Sequence, residues 1–260
     1  MQFLALGAVT GLVAGLFGIG GGGLMVPVLM LLFTAADLGG EHRVHLALGT
    51  SMAAIVPTAL ASLRVHHRHG AVLWPVVARM APGVLMGTFV ATFVAASLPP
   101  EPLAVIFSVF MAYVSLQMIV NRKPVPSRQL PGTGGLVLAG SGIGGLSALV
   151  AIGGGSLTVP FLSWCNVRLP VAIGTSAAVG LPIAVAGALG YMLNGWGTDG
   201  LPAHTLGFVY WPAALSIVCF SALTAPLGAR LAHRLPVTWL KRLFALMLMA
   251  LSIEMLRTVF

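Results

Sequence analysis

The sequence predicts an all-α polytopic membrane protein of two inverted repeats, each with four apolar helical segments, the first of which is broken or re-entrant. Three observations predict it: long stretches free of charge, a glycine-rich motif that occurs twice, and loop charges that reverse between the two copies.

The chain has 260 residues, of which 58% are hydrophobic and 7% charged, whereas soluble domains carry about 25% charged residues. Residues 1–36, 131–167 and 169–198 contain no Asp, Glu, Lys or Arg, and each run exceeds the roughly 20 apolar residues that a spanning helix needs. The runs are continuous rather than alternating, which selects helices over a β-barrel. Met1 to Thr10 lacks a basic leader, so the first apolar stretch is expected to be retained. Cys165 and Cys219 form neither a CxxC pair nor a disulfide pattern. The net charge of +8 lies in loops between apolar runs, which indicates membrane topology and excludes a nucleic-acid partner.

The segments run, in order, over 3–33, 46–63, 71–97 and 103–120, then 133–163, 171–193, 205–229 and 243–260. The first of each set holds a glycine run followed by Val-Pro: Ile19-Gly20-Gly21-Gly22-Gly23-Leu24-Met25-Val26-Pro27 recurs as Ile152-Gly153-Gly154-Gly155-Ser156-Leu157-Thr158-Val159-Pro160, at an offset of 133. A straight helix of this length would measure about 46 Å against a hydrocarbon core of about 30 Å, so a turn at the glycines is expected. The second of each set opens with Gly49-Thr50-Ser51 or Gly174-Thr175-Ser176, at an offset of 125. The third and fourth align at an offset of 137 through Trp74-Pro75 with Trp211-Pro212, Phe107 with Phe244 and Ser115 with Ser252. The organisation is therefore a first repeat over 1–121, a polar Pro- and Arg-containing linker over 122–131, and a second repeat over 132–260.

With eight full crossings, the loop bases would divide evenly between the two faces. With segments 1 and 5 re-entrant, Arg43 and Arg257 stand alone against the other ten, a strong positive-inside bias. The basic loop from Arg64 to His69 also corresponds to Asn194–His204, whose charged residue is Asp199. Opposite charge in equivalent loops is what an inverted repeat requires. Six crossings, two hairpins and both termini outside are expected.

Glycine-broken segments at matching positions point to a transporter site near the midplane. Substrate-binding candidates are therefore Gly20, Gly21, Gly22 and Gly23, and Gly153, Gly154, Gly155 and Ser156, whose exposed N–H groups at a helix start can hold an anion. Close packing by small residues is the alternative. Thr50, Ser51, Thr175 and Ser176 add hydroxyl donors without charge, or else bond their own helix. Arg79 is an intramembrane cation, a functional candidate by default, with snorkelling as the alternative. His42, His45, His66, His67 and His69 lack a carboxylate or thiolate partner, so no metal site is expected, and Glu254 with Arg257 reads as a surface pair. The glycine run lacks the Gly-Lys-Ser/Thr ending of a phosphate loop. No cofactor is expected.

The doubled glycine motif, each copy followed by Gly-Thr-Ser, resembles the sulfite exporter TauE/SafE family of membrane transporters over nearly the whole chain. The resemblance implies transport of small sulfur-containing anions, such as sulfite, thiosulfate or organosulfonates, across the bacterial inner membrane. The expected partners are a small anionic substrate and membrane lipid, and the expected mechanism is alternating access. An anion channel is the first alternative. An intramembrane enzyme would need a nucleophile and base or a metal cluster, and neither is visible in the sequence.

Overall fold

A computed structural model describes residues 7–9, 12, 22–120, 128–232 and 237–259. The described chain is mostly helical: α1 (Gly22–Ala35), α2 (Arg43–Arg68), α3 (Trp74–Ser97), α4 (Pro100–Val120), α5 (Thr133–Leu149), α6 (Gly155–Trp164), α7 (Leu169–Asn194), α8 (Trp211–Ala232) and α9 (Val237–Val259). A short antiparallel pair, β1 (Thr205–Leu206) and β2 (Val209–Tyr210), precedes α8. Among the described residues, the helices over Gly40–Arg68, Trp74–Ser97, Pro100–Val120 and Leu169–Asn194 are long and apolar enough to cross a membrane, and shorter apolar helices accompany them. This is the composition of a multi-pass membrane protein.

Local sequence explains the helix starts. Pro75 and Pro170 stand in the first turn of α3 and α7, where a missing N–H costs nothing and the fixed φ favours the helix. Segment 7 departs from its expected start at 205, because Gly207 takes φ +55 and turns the chain into β2 before Trp211-Pro212 begins α8. Segment 2 runs further than expected, so Arg64, His66, His67 and Arg68 occupy the final turns of α2 rather than a loop.

Equivalent helices of the two repeats pack on each other, with glycine and serine at the contacts. In the α2–α7 pair Gly49 lies against Tyr191 and Gly187 against Met52, so residue numbers rise on one helix as they fall on the other. The pair is antiparallel. The α4–α9 pair runs the same way: Ser108 Oγ donates to Ser252 O at 3.1 Å, Ser252 Oγ to Ser108 O at 2.9 Å, and Ser115 Oγ to Ala245 O at 2.7 Å. The bond from Ser115 to Ala245 maps onto that from Ser252 to Ser108 when the repeats are exchanged at the offset of 137.

Segments 1 and 3 pack across the repeats instead. Gly140 and Gly144 of α5 lie against the backbone of Met80 and Val84 in α3, so a methyl group at Gly140 would come within 2.6 Å of Met80 O. Gly7 occupies the corresponding place against α8, 2.9 Å from Ile217 Cα on the same measure. Small residues allow such close backbone approach where apolar packing alone cannot distinguish protein from lipid.

Candidate functional site

Segment 5 breaks between α5 and α6. Ala151 and Gly154 take positive φ values of 46° and 76°, the left-handed region in which glycine is unpenalised, and the chain restarts as a helix at Gly155. The two ends of the segment lie side by side: Arg128 N donates to Trp164 O at 3.3 Å, and the Arg128 guanidinium sits 4.8 Å from the centre of the Trp164 ring.

The halves of the break differ in what they leave open. Three of the carbonyls ending α5 are occupied: Leu146 O accepts from Val150 N, Ser147 O from Ile152 N, and Ala148 O from both Ala151 N and Tyr191 Oη, the last at 3.0 Å. At α6, Leu157 N and Thr158 N donate to Gly154 O at 3.2 and 2.8 Å. The N–H groups of Gly155 and Ser156 precede these first intrahelical bonds, and a helix start leaves such donors without an internal acceptor. The break is thus rich in donors, with its negative helix end capped.

The walls come from α2 and α7. A Cβ at Gly153 would meet Ile55 Cγ2 at 3.3 Å; one at Gly154 would meet Ile183 Cδ1 at 2.7 Å and Thr158 Oγ1 at 3.5 Å. Gly155 has Ser176 Oγ at 3.8 Å from the same built position, and Gly180 of α7 lies against Gly153 O. Ser51 stands one turn before Ile55 on the same face of α2. Ser51 Oγ, Ser156 Oγ and Thr158 Oγ1 are buried without a hydrogen-bond partner, and Ser51 and Thr158 are fully buried as residues. Buried hydroxyls are ordinarily bonded, so the unpartnered ones of Ser156 and Thr158 beside the first amides of α6 mark a place suited to an acceptor, whereas Ser51 stands a turn further along α2, level with Gly187 of α7.

The structure divides the sequence candidates. Gly153, Gly154, Gly155, Ser156 and Ser176 come together at the break, with Ser51 on the facing helix. Thr50 and Thr175 are occupied elsewhere: Thr50 Oγ1 accepts from Tyr210 N at 2.9 Å, and Thr175 Oγ1 from Leu73 N at 3.0 Å. Beside them Gly49 lies against Phe208 O and Gly174 against Ala71 O. Each Gly-Thr pair therefore clasps the chain that leads into the other repeat's third segment.

Gly20 and Gly21 lie outside the described residues. Gly22 and Gly23 belong to α1, and Gly23 turns towards Met111 and Leu248. Arg79 is exposed on α3 in the outward stripe that also carries Met86, Val90 and Phe93. It is not gathered with the break. His45 Nε2 lies 3.0 Å from Ala95 O, and its ring packs 5.1 Å from that of Phe208. Among the described residues no three His, Cys, Asp or Glu side chains assemble as a metal site.

Sequence reasoning missed Thr158, Ile55, Gly180 and Ile183. Thr158 had a signal, since it and Ser156 are the two departures from the repeated motif, replacing Met25 and Gly23. The others are apolar residues on long helices, and only packing distinguishes them.

The sulfite exporter TauE/SafE family model matches residues 3–255. A probable membrane transporter protein of Haemophilus influenzae is 37% identical over 254 residues, covering 97% of this chain and 96% of the relative. The probable membrane transporter protein YunE of Bacillus subtilis is 24% identical, with 97% and 96% covered, and a probable membrane transporter protein of Methanocaldococcus jannaschii is 23% identical, with 97% and 94% covered. No solved structure matches the chain. These names describe a transporter rather than an enzyme, and the family implies a small anionic substrate. By its match across nearly its whole length, the chain belongs to the sulfite exporter TauE/SafE family of membrane proteins.

Proposed function

We propose that the protein is a secondary transporter of small sulfur-containing oxyanions, such as sulfite, thiosulfate or organosulfonates, acting in the inner membrane by alternating access. The observation that carries the reading is the pair of buried, unpartnered hydroxyls at Ser156 and Thr158 on the donor-rich first turns of α6. An oxyanion presents several acceptor oxygens, which suit the first amides of α6 and a hydroxyl beside them.

The antiparallel packing of α2 with α7 and of α4 with α9 supports an inverted-repeat scaffold, since equivalent helices then run in opposite directions about a shared axis. The adjacent ends of segment 5 support its entry and exit on one face. The full burial of Thr158 supports a gated site over a continuously open pore.

Flux of sulfite into proteoliposomes containing purified protein tests the proposal. Saturable uptake, competed by methanesulfonate and without unitary currents in a planar bilayer, is expected. Absence of uptake would reject the transport reading, and unitary currents would replace it with a channel.

A further inference from the structure

Resting on the transporter reading above, we infer that a proton travels with the anion, carried on Nδ1 of His45 beneath a roof supplied by the second repeat. His45 stands in the first turn of α2 and is 3% exposed. Ala95 O, near the end of α3, lies 3.0 Å from its Nε2. A carbonyl can only accept, so Nε2 bears a hydrogen and Nδ1 of the neutral ring is left as an acceptor. Nδ1 is buried without a hydrogen-bond partner. The ring therefore holds one basic lone pair, in a fixed orientation, open to a proton.

The roof is Phe208, from the turn between β1 and β2. Its ring centre lies 5.1 Å from that of His45 and 5.7 Å from that of His42, and the two imidazole centres are 6.1 Å apart. His42 is only half-buried, so it borders both water and the roof. On the inner side Gly49, one turn after His45 on the same face of α2, lies against Phe208 O and Tyr191 Cβ. Phe208 N donates to Tyr191 O at 3.1 Å, and Tyr191 Oη donates to Ala148 O at the end of α5. One buried tyrosine thus joins the surroundings of His45 to the break.

Among the described residues no carboxylate is placed to balance a charge on His45. Of the five acids in the chain, Asp37 and Glu41 are exposed before α2, and Asp37 pairs with Arg43. Glu101 is exposed in the first turn of α4, Asp199 is exposed ahead of β1, and Glu254 pairs with Arg257. Helices α1, α5, α6 and α7 contain no charged residue. On α3, Arg79 is exposed about four turns before Ala95. Near the roof, His204 packs against Trp211 and Tyr210 against Phe33. The Leu98 backbone also faces the His45 ring, and a backbone carbonyl accepts a hydrogen but does not neutralise a charge. An imidazolium beneath the closed roof would be a buried cation without a counterion, which is costly. The Nδ1 lone pair therefore takes its proton from water, and returns it to water, when movement of the repeats withdraws Phe208. Between those steps the substrate anion is the counterion. The break, which has no fixed cation, gains one when His45 is loaded, and by linkage each ligand raises the affinity for the other by the same factor.

The test uses thiosulfate and methanesulfonate, whose charges do not change over the pH range, in proteoliposomes with the membrane potential held at zero by valinomycin and equal potassium. With the outside more acidic by about two pH units, the wild type should accumulate anion at least about tenfold, against a ceiling of about a hundredfold for one proton per anion. His45→Gln retains an amide that can donate to Ala95 O. At saturating anion it should keep exchange of labelled for unlabelled substrate within about threefold of the wild type and lose the accumulation. His45→Asn serves as the second variant. Exchange without accumulation in the wild type, or accumulation in either variant equal to that of the wild type, would overturn the inference and leave the transporter reading in place. Failure of both variants to give monodisperse protein would assign His45 to structure and overturn it too. Exchange of neither anion by the wild type would also overturn it, while the sulfite uptake described above decides the transporter reading by itself.

Discussion

The two clasps and the break are made from the same kinds of residue, glycines and hydroxyls on helices that face the protein interior, yet their hydrogen bonding is opposite. At the clasps, Thr50 and Thr175 each accept a backbone N–H from the other repeat, and Gly49 and Gly174 admit the same chain. At the break, Ser156 and Thr158 have no partner within the described chain. Thr50 and Ser51 are adjacent in sequence, but a helical step of about 100° directs them to different neighbours. A clasp hydroxyl is buried with a partner supplied by the other half of the chain, whereas those at the start of α6 are buried without one.

Removing the unpartnered hydroxyls tests this contrast with the largest expected effect. A Ser156→Ala, Thr158→Val double substitution leaves the helices and their volume nearly intact while deleting two hydroxyls beside the start of α6, a donor to a charged ligand being worth about 1.5–3 kcal/mol. Sulfite flux per unit of monodisperse protein should fall about a hundredfold or more, with the melting temperature unchanged or slightly raised. Normal flux would move the site away from the break.

The opposite pattern is expected at a clasp. A methyl group in Gly174→Ala meets the Ala71 carbonyl, and overpacking of this kind costs about 1–3 kcal/mol. The change should lower the melting temperature and the yield of monodisperse protein, with Gly142→Ala as the control because nothing lies within 4 Å of its built Cβ. Equal stability of the two variants would show that the clasp tolerates separation. Thr175→Val, which strands the Leu73 N–H, should cost about 1 kcal/mol, read as a shift in melting temperature, and should leave anion selectivity unaltered.

Arg79 offers the smallest effect. On an outward face its guanidinium can reach the membrane surface along its aliphatic stem, so Arg79→Ala should change sulfite affinity by less than about twofold. A loss comparable to that of the double substitution at Ser156 and Thr158 would return Arg79 to the substrate path.

Much of the scaffold was legible because lipid narrows the backbone options and because the duplicated motif carries its own alignment. Uncharged runs mark membrane segments, and the break in segment 5 follows from too many residues for one crossing together with Gly153–Gly155. The site was legible only in part. Ser156 and Ser176 were reached through repetition, but repetition equally favoured Thr50 and Thr175, which bond the opposite repeat. Arg79 attracted attention through chemical type alone, and type does not reveal the face of an apolar helix: the α3 residues around it are apolar on both sides.

Sequence by itself determined membrane residence, the position of the glycine break and the absence of formal charge from the segments that form it. These are properties of composition and spacing, set along the chain before any contact forms. Tertiary structure decided which member of each Gly-Thr-Ser motif has a partner and which residues join the break, because that depends on contacts between residues more than 100 positions apart. The distinction between a packing hydroxyl and a binding hydroxyl resides in the neighbour supplied by the other repeat, which a local stretch of sequence does not contain.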